Sequence, residues 1–151
     1  MKGGSGYSGT PLLKKLGVKD GSTLVLVGEP RGVIGEVPAS VTVRRQARGA
    51  ADVVVGFFTR RQDVEHRIGT LSRMIYPDGG LWLAWPKRSS GLETTVNEDV
   101  VREVALPLGL VDNKVCAIDA TWSGLRVVWR RERRRRTGRR VNDGVSEEAD
   151  A

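Results

Sequence analysis

Seven residues of this chain have types and positions suited to ligand chemistry: Glu29, Arg60, Trp85, Lys87, Arg88, Asp119 and Trp122. Each falls where an apolar run ends. Gly28-Glu29-Pro30 follows Leu24 to Val27, Thr59-Arg60-Arg61 follows Val53 to Phe58, and Trp85-Pro86-Lys87-Arg88 closes Leu81 to Trp85. Asp119 and Trp122 lie just after Lys114 to Ile118. Lysine and arginine in such a group bind oxyanions, indoles supply flat area for stacking, and carboxylates orient hydroxyls or protons. In open α/β sheets ligands collect beyond the carboxyl ends of the strands, so one shared binding edge is expected here.

The remaining reactive residues point elsewhere. Cys116 is the single cysteine, which excludes an intrachain disulfide and a multi-thiolate metal site; its Val-Cys-Ala-Ile setting predicts a buried, unreactive thiol. His66, the single histidine, sits two residues past Val64, off the apolar stripe of its helix, and is expected on the surface. No Cys/His cluster has metal-ligand spacing, no nucleophile elbow is present, and no catalytic residue or cofactor is identified.

The elements that must position the seven residues are legible from pattern. Thr10 is an N-cap followed by Pro11 at the first helical position, and Gly17 ends that short helix. Leu24 to Val27, Val53 to Phe58 and Leu81 to Trp85 are continuous apolar runs of the kind buried in parallel sheets, and Val41 to Val43 is a shorter strand. Thr59 with Gln62 forms a capping box for a helix whose Val64, Ile68, Leu71 and Ile75 make one apolar stripe. Pro77-Asp78-Gly79-Gly80 ends it. Asn97 caps a second long helix with Val100, Val101, Val104, Ala105 and Leu108 on its buried side and Gly109 at its end. Lys114 to Ile118 and Leu125 to Trp129 are two strands joined by a loop over 119–124. Trp82 and Trp129 alternate with aliphatics and belong to the core, whereas Trp85 ends a strand and Trp122 sits in the loop.

Strands alternating with helices predict an α/β fold: a three-layer Rossmann-like sandwich with a mostly parallel sheet, closed by a C-terminal antiparallel hairpin. A chain of 151 residues suits one such domain. The expected division is a flexible Gly- and Ser-rich segment over 1–9, one domain over 10–130, and a disordered Arg-rich, then acidic, tail over 131–151. Eight of the 25 basic residues fall between Arg130 and Arg140, and the net charge is +7. Arg133, Arg134, Arg135 and Arg136 are therefore candidates for nonspecific nucleic-acid association. No secretory leader or membrane-spanning run is visible, which with the lone cysteine predicts a cytoplasmic location and no membrane partner.

Three segments carry a family resemblance. Ser5-Gly6-Tyr7-Ser8-Gly9-Thr10-Pro11-Leu12, Gly80-Leu81-Trp82-Leu83-Ala84-Trp85-Pro86-Lys87, and Asp112 to Asp119 with Thr121-Trp122-Ser123-Gly124-Leu125-Arg126 resemble the bacterial family catalogued as domain of unknown function 3052 (DUF3052). The likeness spans about residues 5–130 and implies no catalytic or cofactor residues to transfer. At fold level, Tyr76-Pro77-Asp78-Gly79-Gly80-Leu81-Trp82 with the helix before it and the strand, helix and hairpin after it resembles the later half of class I methyltransferases. Those enzymes hold their cofactor with a Gly-rich turn after the first strand and an acid ending the second. Here Gly28-Glu29-Pro30-Arg31-Gly32 has few glycines, and Arg44-Arg45 stands at the acid's place.

The expected function is non-catalytic binding of an anionic small molecule or an acidic protein segment at the strand edge. A divergent methyltransferase-like transferase is the enzymatic alternative, and weak nucleic-acid association through the tail is a third.

Overall fold

Four apolar runs do form the parallel heart of a sheet. In the computed structural model, which describes residues 9–134, β1 (Thr23–Val27), β2 (Thr42–Arg44), β3 (Val53–Phe57) and β4 (Gly80–Pro86) run parallel, and the sheet order is β2-β1-β3-β4-β6-β5. The closing hairpin is β5 (Leu110–Ala117) with β6 (Trp122–Trp129), and β6 inserts antiparallel between β4 and β5. All residues of β3 and β4 are buried, as strands covered on both faces must be.

Alternation along the strands feeds two cores. On one face Val25, Val54, Leu81, Leu83, Trp85, Leu125 and Val127 pack under α2 (Arg61–Met74) and α3 (Glu98–Ala105). The Val64, Ile68, Leu71 and Ile75 stripe is buried there, as its spacing predicts. The opposite face carries Leu24, Leu26, Val53, Val55, Trp82 and Trp122, covered by α1 (Pro11–Leu16) and by Ile34, Val33 and Val37 of the 28–41 loop. This makes three layers, with a short helix and a loop as the third.

α1 has its predicted caps: Thr10 Oγ1 accepts from the Leu13 N–H at 3.2 Å, and Gly17 takes φ 90° after the last turn. Its open end is closed from the sheet, where the fully buried Trp82 indole donates to the Leu16 carbonyl at 3.0 Å. Trp129 does the same to α2, donating to the Ser72 carbonyl at 2.8 Å.

Several expectations shift. β2 starts at Thr42 rather than Val41, whose side chain is buried beside it. α3 stops at Ala105 and a 3-10 turn over Leu106–Leu108 follows, leaving Leu108 exposed instead of on the buried side. The hairpin loop is shorter than expected and Trp122 is the first residue of β6, because Asp119 tightens the turn. Cys116 is half-buried rather than fully buried, since β5 is the edge strand of the sheet.

Helical backbone extends past Arg130. Residues 131–134 form one helical turn, to which the Tyr76 hydroxyl donates at the carbonyls of Arg133 and Arg134, 3.2 and 3.1 Å away. The side chain of Arg133 covers Gly109, and Arg134 approaches Asp78 at 3.7 Å. The expected flexible segment over 1–8 and the tail from Arg135, with Arg135 and Arg136, lie outside the described residues. Ending the chain after Arg130 should cost about 1–2 kcal/mol through the lost Tyr76 bonds, whereas ending it after Arg134 should stay within about 0.5 kcal/mol. Urea titrations of the two truncations check this, and equal stabilities would show that the 131–134 turn adds nothing.

Candidate functional site at the carboxyl edge of the sheet

Sheet order locates the crevice. From β1 the chain moves to β2 on one side and then returns to β3 on the other, so the carboxyl ends of β1 and β3 diverge at a topological switch point. Gly28 leaves β1 at φ 70°, and a Cβ there would stand 3.2 Å from the Phe57 carbonyl oxygen. Only glycine lets the turn pass so close to the end of β3.

Glu29 then folds inward. Its side chain is 7% exposed, with one carboxylate oxygen accepting from the Ile34 N–H at 2.8 Å and the other paired with the Arg45 guanidinium at 2.5 Å. The acid thus clamps its own loop to the residue after β2. Arg44 is engaged too, donating to the carbonyls of Arg48 and Ala50. The 28–41 loop contains no helix, so no helix N-terminus faces the crevice from β1.

The other side of the crevice is closed by a loop distant in sequence. α2 has no cap from Thr59, contrary to the capping box read from the sequence; its N-cap is Arg60, whose side chain makes no capping bond. Thr95 supplies the acceptor instead, its Oγ1 2.8 Å from the Arg61 N–H. The Thr94 hydroxyl and Thr95 N–H in turn donate to the Thr59 carbonyl at 2.8 and 2.9 Å. Arg61 bonds Glu65 at 2.9 Å and Glu103 at 2.7 Å, and these two bonds, Glu65 foremost, hold its guanidinium pKa above the ordinary value. It ties α2 to α3 rather than facing a ligand.

The seven predicted residues divide accordingly. Arg60 lies exposed at the edge with Asp63 3.2 Å away, and Lys87 and Arg88 follow β4 with no carboxylate partner among the described residues. The Lys87 N–H donates to the Thr121 carbonyl at 2.7 Å, so the β4 end and the hairpin turn do meet. Asp119 spends one oxygen on that turn, accepting from the N–H groups of Thr121 and Trp122 at 2.8 and 2.7 Å. The two indoles are not brought together. Trp85 packs in the α2/α3 core and Trp122 in the opposite core, edge-on to Phe57 at 5.3 Å, and each is 7% exposed. They are core residues on opposite faces of the sheet, because register pairs Trp122 with Pro86 and leaves Trp85 opposite Ser123. Arg45 and Thr95 were missed as edge residues; the Arg44-Arg45 pair after a strand was the available signal for the first, while nothing local marks the second.

Comparison with solved structures gives the fold a context. A SAM-dependent methyltransferase from Aquifex aeolicus superposes with a TM-score of 0.54 at 16% identity, covering 77% of this chain and 86% of that one. The fold is class I methyltransferase-like. Magnesium protoporphyrin IX methyltransferase from Synechocystis matches at TM-score 0.53 and 12% identity over 73% of this chain and 74% of its own. The ribosomal protein L11 methylase of Lactobacillus delbrueckii matches at 0.51 and 11%, over 79% and 75%. No family model matches the sequence, and no curated protein matches it either.

The S-adenosylmethionine that such a fold implies can be tested against the crevice. Ribose hydroxyls need an acceptor after β2, but Arg45 there can only donate, and the nearest carboxylate, Glu29, is taken up by Ile34 and Arg45. The residues present do not fit that group in the usual way. Among the described residues no cluster of His, Cys, Asp or Glu is placed to hold a metal ion, and no helix is long and apolar enough to cross a membrane.

Proposed function

We propose that this protein binds an anionic small molecule or an acidic protein segment at the carboxyl edge of its methyltransferase-like sheet, with Arg60, Lys87 and Arg88 supplying charge. The observation that supports this reading is the Glu29–Arg45 ion pair at 2.5 Å, which commits the carboxylate after β1 to the fold, while Lys87 and Arg88 after β4 have no carboxylate partner among the described residues. Membership of the DUF3052 family rests on the three motif segments and belongs to the same proposal.

A second reading, a divergent methyltransferase-like transferase, is favoured by the architecture and its structural neighbours, which weigh for it more than for binding alone. Calorimetric titration separates the two. The binding reading expects no heat with S-adenosylmethionine and saturable binding of a hexaglutamate peptide, weakened about tenfold in the Lys87→Gln/Arg88→Gln double variant. Saturable heat with S-adenosylmethionine supports the transferase, and the absence of both responses overturns both. Nucleic-acid association through the tail stays a proposal for Arg135 and Arg136 in the main, since Arg133 and Arg134 already hold contacts with Gly109 and Asp78.

A further inference from the structure

A second cationic group lies away from the carboxyl edge, on the face covered by α1. In the hairpin register Lys114 of β5 stands directly opposite Arg126 of β6, two like charges in a cross-strand position where opposite charges stabilise and like charges repel. That pairing is produced by the irregularity between Asp112 and Lys114, which leaves Asn113 without a partner. The Lys114 ammonium donates to the Lys15 carbonyl at 3.2 Å, bringing the carbonyl end of α1 against the hairpin. Arg126 is half-buried, its guanidinium lying on Gly80 where any side chain would collide with it. Among the described residues, Lys15, Lys114 and Arg126 have no carboxylate partner.

We infer that Lys15, Lys114 and Arg126 form a binding site for a phosphoryl group on the α1 face of the hairpin. A guanidinium presents paired donors that match an oxyanion, and the Lys114 ammonium across the hairpin from it, with Lys15 at the end of α1, adds the charge that matches a doubly charged one. An incoming phosphoryl group removes the cross-strand repulsion and gives the half-buried Arg126 the counter-charge it lacks, for burial alone lowers its pKa. The group can be carried by a small phosphate ester or by a nucleic-acid backbone.

Cys116 is a built-in reporter. It lies two residues past Lys114 on the same face, half-buried against the α1 core. Burial pushes its thiol pKa up, while the ammonium charges of Lys15 and Lys114 pull it down. Neutralising those charges raises the thiol pKa and slows its alkylation, because the thiolate is the nucleophile.

The experiment measures alkylation of Cys116 in the full chain with inorganic pyrophosphate or a short duplex DNA, each against sodium chloride of equal ionic strength. Protection of about threefold or more is expected in the wild type, with a rise in Tm of roughly 3 °C at tenfold excess over Kd. Both effects should be lost in Lys114→Gln and in Arg126→Gln and kept in Lys87→Gln. Lys114→Gln changes an exposed side chain, so it reads the site even where Arg126→Gln loosens the hairpin. Protection by pyrophosphate identifies a small phosphate ester as sufficient, and protection by DNA alone identifies the nucleic-acid source. Protection by neither, or protection that persists in Lys114→Gln, overturns the inference.

Discussion

Trp82→Ala should unfold the domain or leave it without fixed packing. The indole is fully buried at the centre of β4, and removing a buried aromatic costs about 3–5 kcal/mol through lost transfer energy and the cavity left behind. A second loss adds to this, because the Leu16 carbonyl at the end of α1 forfeits its 3.0 Å donor. With typical domain stabilities of about 5–15 kcal/mol, the sum takes a large share of the total. Trp82→Phe separates the two parts: it retains most of the apolar volume and drops the donor, with an expected cost of about 1–3 kcal/mol. Guanidinium titrations followed by far-UV circular dichroism check the pair. A Trp82→Ala protein of wild-type stability would place the indole outside the core.

Trp122→Ala and Trp85→Ala should each destabilise by about 3–5 kcal/mol, far beyond what a ligand-facing loop residue costs. Both indoles are 7% exposed, and Trp122 also loses its edge-on contact with Phe57 at 5.3 Å. As walls of a binding site they would instead change affinity and leave Tm nearly fixed. The rings occupy separate cores, so their costs should add to within about 0.5 kcal/mol. Additivity is best read in conservative Trp→Leu versions, where the double variant remains folded. A coupling above about 1 kcal/mol would indicate that the two rings share one environment after all.

These outcomes bear on how the edge is built. Its polar residues are largely committed to the fold: Glu29 to Ile34 and Arg45, Asp119 to its turn, Thr95 to the start of α2. Lys87 and Arg88 keep no carboxylate partner among the described residues, which is why the proposed ligand is anionic. The same residue types that suggested a mixed acidic, basic and aromatic site thus resolve into structural acids, core aromatics and bases at the strand ends, of which Arg60 and Arg88 are exposed and Lys87 half-buried.

The amino-acid sequence by itself determined the elements and the class of the fold. Continuous aliphatic runs at Leu24 to Val27, Val53 to Phe57 and Leu81 to Trp85 have no exposed side, so they had to lie in a sheet covered on both faces. The Val64, Ile68, Leu71 and Ile75 spacing admits one buried helix face, and Thr10, Pro11 and Gly17 bracket α1 through bonds made within five residues. Local chemistry is sufficient for such features because every partner is near in sequence. The tertiary structure alone decided which partner each polar group takes. Glu29 reaches Arg45 across 16 positions and Arg61 takes its cap from Thr95 across 34. Whether Trp85 and Trp122 face one another, or Lys114 faces Arg126, depends on a register that moves side chains to the other face with a slip of one residue. Those choices are set by packing across the whole sheet, and no local pattern encodes them.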